Sequence, residues 1–154
     1  MKKGMAVLVA LIMTFIAGNA YSVEYEQMKT LRGHTEDVQS VSFSRDGKLM
    51  ASGSNDKTVI VWNTDTWKQV STFEGHERDV QAVAFSPDGK LLASGERDKR
   101  VFIRDAVSGK RLNTVKTYNS VNSIAFSPDG RYFANASSDK TGTIKIWKLK
   151  GIDK

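Results

Sequence analysis

The feature that most constrains this chain is an internal repeat with a period of about 42 residues. Its first copy runs from Gly33 to Trp62 and combines a Gly-His pair, alternating valines, a Ser-x-Asp-Gly turn, an Ala-Ser-Gly segment and a final apolar run. The same order returns from Gly75, and a third copy, which lacks Gly-His, follows from Val121. Self-similarity at such a period indicates one small structural unit repeated side by side. The repeat therefore predicts stacked copies of one supersecondary motif.

Each copy is predicted to contain four β-strands joined by tight turns. In the first copy, residues 38–43 alternate apolar and polar side chains, as a half-buried strand does, and residues 44–48 supply the Asp and Gly that suit a turn. Residues 59–61 read Val-Ile-Val without polar alternation, which is typical of a strand covered on both faces. The other strands expected from these patterns are 49–54, 58–62, and the strands that precede the Gly-His positions, at 26–31, 68–73 and 110–115. The array thus begins with an outer strand and ends on a third strand.

These motifs resemble the WD repeat (WD40), whose units build β-propellers. The resemblance rests on Gly-His, the Ser-Pro-Asp-Gly turn, the Ala-Ser-Gly segment, the turn Asp and the closing Trp, although no copy keeps both residues of the closing Trp-Asp dipeptide. It implies an all-β fold of three four-stranded antiparallel WD-type blades, either a partial propeller or half of a six-bladed dimer. The repeats fall at about 26–66, 67–108 and 109–149.

The resemblance also implies a hydrogen-bonded structural network within the blades. Ser, His and Asp are the parts of an acyl-transfer triad, but here the set occurs twice and lacks the Gly-x-Ser-x-Gly elbow that exposes a nucleophile. We therefore expect it to tie the loop before the first strand to the turn after the second strand and to the third strand. The expected members are His34, Ser52, Asp56 and Trp62 in the first repeat, His76, Ser94 and Asp98 in the second, and Asp139 and Trp147 in the third.

Other chemistry finds no support in the sequence. The chain has no Cys and only two His, both within the repeats, so no metal cluster at ligand spacing is expected. Nucleotide-binding glycine motifs are absent from the sequence. The net charge is +6, but the basic residues are interspersed with acidic ones, so nucleic acid is not expected as a partner. The sequence predicts no catalytic residues, no metal and no cofactor.

The N-terminus has the layout of a bacterial-type secretory signal peptide. Two lysines precede an apolar run from Met5 to Ala17, and small residues follow, so cleavage is expected after Ala20 or Ser22. The run is shorter than the roughly 20 residues of a membrane-spanning helix, and no stable membrane insertion is expected after cleavage. We therefore divide the chain into a signal peptide, 1–22, and a WD-repeat region, 23–154, and expect a periplasmic or secreted protein.

The expected function is that of a non-catalytic scaffold for protein–protein interaction, because WD-type propellers resemble one another in serving as platforms for protein partners. Fold alone does not establish function, so two alternatives stay open. One is a secreted propeller hydrolase or lyase with an acid–base pair at the channel mouth, and the other is a truncated relic of a longer WD-repeat protein. The partner is an unidentified protein. We expect a homo-oligomer assembled by exchange of N-terminal strands, either a dimer that completes a six-bladed ring or a higher ring, with capture by a larger propeller as the alternative.

Overall fold

The computed structural model describes residues 23–138 and 142–151, so the signal-peptide residues and Asp139 lie outside the described residues. The chain separates into two compact units, Met1–Thr30 and Leu31–Lys154. In the first unit, residues 23–30 are exposed and contain neither helix nor strand. The outer strand predicted at 26–31 is therefore absent from the single chain. A strand exists only in a hydrogen-bonded ladder with a neighbour, and none of the three sheets contains this segment.

The second unit consists of antiparallel β-sheets in its described part. Two sheets have four strands, in the orders β1-β2-β3-β4 and β5-β6-β7-β8, and the third has the order β9-β10-β11. The strands are β1 (Val38–Phe43), β2 (Leu49–Ser54), β3 (Val59–Asn63), β4 (Gln69–Phe73), β5 (Val80–Phe85), β6 (Leu91–Glu96), β7 (Arg100–Asp105), β8 (Arg111–Lys116), β9 (Val121–Phe126), β10 (Tyr132–Ser137) and β11 (Ile144–Lys148). This confirms the all-β fold of propeller blades. No helix in the described residues is long and apolar enough to cross a membrane.

The Ser-x-Asp-Gly turns join the first two strands of each sheet. In the first, Ser44 Oγ donates to Asp46 Oδ1 at 2.6 Å and accepts from the backbone N–H of Leu49 at 2.9 Å. Gly47 has a φ of 70°, a left-handed conformation that a side chain disfavours. Ser86 and Ser127 make the same bonds to the Asp two residues later. The repeated sequence thus gives each hairpin the same self-bonded turn.

Neighbouring sheets pack through two apolar clusters. Val59 and Val61 of β3 belong to one buried cluster with Val83 and Phe85 of β5. The second cluster joins the second sheet to the third in the same way, with Val101 and Ile103 of β7 packed among residues of β9 and β10. Burial of such side chains is the main source of stability that this arrangement offers.

Glycine allows the close approach of the sheets. A Cβ at Gly53 would lie 2.7 Å from Val80 Cγ1, and a Cβ at Gly95 would collide with the side chain of Val121. The third repeat has Ala136 at this position, on a sheet face that no further described sheet covers. The loss of glycine therefore coincides with the loss of a covering sheet.

Candidate functional site

The expected network of the first repeat is assembled in the structure. His34, on the loop before β1, has Nδ1 2.8 Å from Asp56 Oδ2 and Nε2 2.8 Å from Ser52 Oγ. The Trp62 indole N–H donates to the same Ser52 oxygen at 2.8 Å. With an ionised Asp56, the His34 Nδ1–H donates to the carboxylate, and Nε2 accepts the serine proton. The four side chains thus form one chain of hydrogen bonds from β3 to the turn after β2.

Asp56 anchors the acidic end of this network. Besides His34, its carboxylate accepts the backbone N–H of Thr35 at 3.0 Å, and the hydroxyl and backbone N–H of Thr58 at 2.6 and 3.0 Å. Burial opposes ionisation, but the bonds from Thr58, Thr35 and His34 outweigh it and lower the pKa of Asp56 to about 2. The carboxylate therefore stays ionised over the whole physiological range.

Removal of His34 should test how much this network stabilises the fold. His34→Ala breaks the bonds to Ser52 and Asp56 and leaves the hydroxyl proton of buried Ser52 without its acceptor, so we expect a loss of about 2 to 4 kcal/mol in the free energy of unfolding. Urea denaturation followed by circular dichroism measures it. Thr35→Ala is the control, because the backbone N–H that bonds Asp56 remains. Unchanged stability combined with loss of an enzymatic activity would contradict a structural role.

The second repeat differs from the expected set. His76 Nε2 lies 2.8 Å from Ser94 Oγ, but its Nδ1 lies 3.1 Å from Glu96 Oε2, whereas Asp98 is exposed. The prediction of Asp98 as the acidic partner is therefore wrong. Glu96 occupies the position in β6 that Ser54 has in β2, and its side chain is long enough to bond the histidine in place of Asp98. The sequence signal that could have identified Glu96 as the acidic partner is a carboxylate in an otherwise apolar strand.

An arginine balances the charge of Glu96. Glu96 is fully buried and forms an ion pair with Arg100, whose guanidinium also lies 3.0 Å from the carboxylate of Glu77. Burial disfavours the ionised carboxylate, but the bonds from His76 and Arg100 outweigh it and lower the pKa of Glu96. Burial lowers the pKa of His76 as well, although Glu96 opposes this shift. The favoured state is a neutral His76 beside an ionised Glu96 paired with Arg100.

The lowered pKa of His76 predicts acid sensitivity. The unfolded chain binds the histidine proton more tightly than the folded chain, so the stability from neutral His76 is complete above the reference value of 6.5 and falls as the pH drops below it. We expect wild-type protein to lose stability as the pH falls below about 6.5, and His76→Gln to lose much less over the same range. Urea unfolding at several pH values measures both. Equal slopes in the two proteins would contradict the assignment.

Arg104 takes the place that Trp62 has in the first repeat. It is 7% exposed, and its two terminal nitrogens donate to the carbonyl oxygens of Gly109 and Glu74. Ser94 therefore accepts no indole N–H from β7. In the second blade, the bond from the third strand to the serine is replaced by bonds from the arginine to two loops.

The third repeat has a shorter network. The Trp147 indole N–H donates to Asn135 Oδ1 at 2.7 Å, and Asn135 Nδ2 donates to Ser137 Oγ at 2.8 Å. Asn135 stands where the other repeats have Ser52 and Ser94, and its amide supplies both an acceptor and a donor. Asp139, the remaining expected member, lies outside the described residues.

A polar cleft of about 490 Å³ lies where loops of the three sheets meet. Its lining includes Gln39, Asn55, Gln81 and one carboxylate, that of Asp79, which forms an ion pair with Arg97 at 3.3 Å. An acid–base pair of two carboxylates is therefore not found among the described lining residues. No group of three or more His, Cys, Asp or Glu able to hold a metal occurs in the described residues.

Comparison with known proteins agrees with the β-propeller architecture. Residues 19–154 match the family model described as the IFT122 first beta-propeller. A vegetative incompatibility protein of Podospora anserina is 56% identical over 36 residues, which is 23% of this chain and 3% of that protein. A probable cytosolic iron-sulfur protein assembly protein 1 of Cryptococcus neoformans var. neoformans serotype D is 54% identical over 39 residues, 25% of this chain and 9% of that protein. The chain thus spans less than a tenth of either relative.

A solved structure extends the likeness over most of the chain. A chain in the crystal structure of the mitotic checkpoint complex superimposes with a TM-score of 0.74 and 31% identity, covering 80% of this chain and 39% of that chain. The arrangement of four-stranded and three-stranded antiparallel sheets agrees with these matches. The chain therefore belongs to the WD-repeat β-propeller family, within the group described as the IFT122 first beta-propeller.

Proposed function

We propose that this protein is an exported, non-catalytic scaffold that binds protein partners through the faces of its blades. The observation that carries this proposal is an apolar surface on the first sheet, the entry face, formed by Val38, Val41 and Phe43, which are 51%, 58% and 55% exposed. Contiguous exposed apolar surface on a soluble protein marks a site of interaction. The solved relative also comes from a multi-protein complex.

A second apolar surface, the exit face, lies on the third sheet. It is formed by Ile144 and Ile146 of β11, which are 68% and 73% exposed. The equivalent residues of the first sheet, Val59 and Val61, are at most 1% exposed because the second sheet covers them. The first and third sheets thus each expose one side of the kind of apolar contact that neighbouring sheets form within the chain.

A second copy of the chain is the partner that fits both faces. The residues of the entry face correspond, in the repeat, to the residues of β5 that pack against the first sheet. The residues of the exit face correspond to the residues of β3 that β5 packs against. Two copies joined entry face to exit face around a two-fold axis form a closed ring of six blades, within the four to eight blades of known propellers. Residues 26–31 of each copy would add an outer strand to β11 of the other. A larger propeller that binds both faces is the alternative occupant.

The burial of the two serine–histidine pairs supports a role other than catalysis. Ser52 and Ser94 are 3% and 0% exposed, and each hydroxyl is already bonded to a histidine. The side chains of His34 and His76 are 4% and 0% exposed. A nucleophile has to meet its substrate within bonding distance, and these hydroxyls have no solvent-facing side.

The test of the non-catalytic proposal is an activity screen of the pure mature protein. Incubation with panels of esters, lactones and glycosides should give no turnover above that of buffer. His34→Ala protein, which lacks one histidine of the network, serves as the matched sample. Turnover by the wild-type protein that disappears in the variant at a temperature where both remain folded would establish the enzyme alternative.

Export is tested by the N-terminus of the mature protein. The apolar run Met5 to Ala17 behind two lysines favours cleavage after Ala20 or Ser22. N-terminal sequencing of protein from the exported fraction of a bacterial host should begin at Tyr21 or Val23. An Ala20→Arg, Ser22→Arg double variant should accumulate uncleaved. Recovery of wild-type protein with an intact Met1 in the membrane fraction would contradict export as a mature, soluble chain.

A further inference from the structure

Two arginines of the second blade hold positive charges side by side. Arg104 and Arg111 lie opposite each other in the ladder between β7 and β8. Their guanidinium carbons lie 5.5 and 5.1 Å from the centre of the same Phe102 ring. In the described part of the chain, neither takes part in an ion pair with a carboxylate. The aromatic ring attracts both cations, but it does not cancel their charge.

Arg104 also has unused hydrogen-bond donors. A guanidinium has five N–H donors, and Arg104 uses its terminal nitrogens to bond the carbonyl oxygens of Gly109 and Glu74. Its Nε is buried and has no partner. Burial and the neighbouring charge of Arg111 lower the pKa of Arg104. Since Arg111 is exposed, a ligand from solvent can reach the pair from its side.

Among the arginines around the Phe102 ring, the excess charge belongs to these two positions. A third guanidinium near the Phe102 ring, that of Arg100, is balanced by Glu96 and Glu77. In the first blade, the residues that correspond to Arg104 and Arg111 are the neutral Trp62 and Gln69, which lie opposite each other in the same register. The repeat itself therefore does not require a charge at either place.

We propose that Arg104 and Arg111 form a binding site for a phosphate group, either inorganic or carried on a phosphorylated side chain of a partner. A phosphate beside the pair removes the repulsion between the two cations and accepts charge-assisted hydrogen bonds from the Arg111 fork. Arg104 adds a positive charge at the buried end of the site. This site is independent of the entry and exit faces, and its test does not depend on dimer formation.

The test is a titration of the mature protein with sodium phosphate, with sodium chloride added to keep the ionic strength constant. We expect a saturable rise in melting temperature and saturable heat in calorimetry. Arg111→Gln recreates the residue of the first blade, where Gln69 bonds Thr72 at 2.7 Å, so this variant should fold normally. Loss of the arginine fork should weaken phosphate binding about tenfold or more.

Two further variants complete the test. Arg104→Trp recreates Trp62 and should also abolish saturable binding, whereas Gln69→Arg places an arginine opposite Trp62 and should create no new site. A rise in melting temperature that is equal in phosphate and chloride, or that persists in Arg111→Gln, would overturn the proposal. A glycine-flanked phosphoserine peptide and its unphosphorylated form distinguish the source. Binding of the phosphopeptide supports a partner side chain, and binding of inorganic phosphate alone supports a free anion.

Discussion

Two variants that each fail to dimerise are expected to associate when they are mixed. Phe43→Asp disrupts the entry face and Ile146→Asp disrupts the exit face, because each places a carboxylate where an apolar side chain, 55% or 73% exposed in one copy, is to be buried by the other. In a head-to-tail ring, every contact within either variant contains one altered face. In the mixed pair, one contact joins the intact exit face of Phe43→Asp to the intact entry face of Ile146→Asp, and only the other contact joins the two altered faces.

Light scattering coupled to size exclusion measures this result. The wild-type mature chain should have the mass of a dimer, each variant alone that of a monomer, and the mixture should regain dimer. If entry faces instead paired with each other, Ile146→Asp would stay dimeric and only Phe43→Asp would dissociate. A well-folded wild-type monomer at micromolar concentration would contradict assembly with a second copy and leave the larger propeller as the partner.

Deletion of residues 23–31 separates strand exchange from face packing. β11 is an edge strand in the described sheet, and an open edge is a ready template for pairing. If residues 26–31 of the partner complete that sheet, the deleted chain should be monomeric, although both faces are intact. A deleted chain that remains dimeric would show that the faces alone hold the ring together.

The hairpins could be predicted from the sequence because local rules determine them. The strands predicted at 38–43 and 49–54 coincide with β1 and β2. Those predicted at 58–62, 68–73 and 110–115 differ from β3, β4 and β8 by one residue at most at either end. Asp and Gly in each turn, together with the alternation of apolar residues, specify both the turn and the face to be buried. In contrast, the segment 26–31 carries a strand-like pattern but has no ladder partner in the structure. A pattern predicts the tendency to form a strand, whereas the strand itself requires a neighbour.

The positions that form the hydrogen-bonded network could be predicted from the repeat. The identity of the acidic side chain in the second repeat could not. The repeat alignment placed His34, Ser52, Asp56 and Trp62 together, as the hydrogen bonds show. It could not indicate that Glu96 would replace Asp98, because a buried carboxylate is costly unless ionic partners surround it. The partners His76 and Arg100 become neighbours of Glu96 only after the strands pair. Such a substitution depends on contacts that form only when the second repeat folds and brings these side chains together.

Phe102 is also particular to the second repeat, because the corresponding residue is Ile60 in the first repeat and Lys145 in the third. Its ring is 1% exposed and stacks on His76 with the ring centres 4.4 Å apart, while guanidinium groups lie around it. The aromatic ring thus joins the histidine network of the second blade to its excess arginines. An aliphatic side chain at this position fills the volume but offers no such attraction to cations.

Phe102→Ala should therefore destabilise the protein by about 3 to 5 kcal/mol, since it leaves a cavity and removes the ring beneath His76. Phe102→Ile recreates the residue of the first blade and keeps most of the volume. We expect it to cost clearly less, and its remaining cost measures the stacking and cation–π contacts, about 0.5 to 2 kcal/mol. Linear extrapolation of urea denaturation gives both values. A loss below about 1 kcal/mol in Phe102→Ala, well under that expected for a buried Phe, would show that the ring does not anchor the second blade. Equal losses in the two variants would assign its role to volume alone.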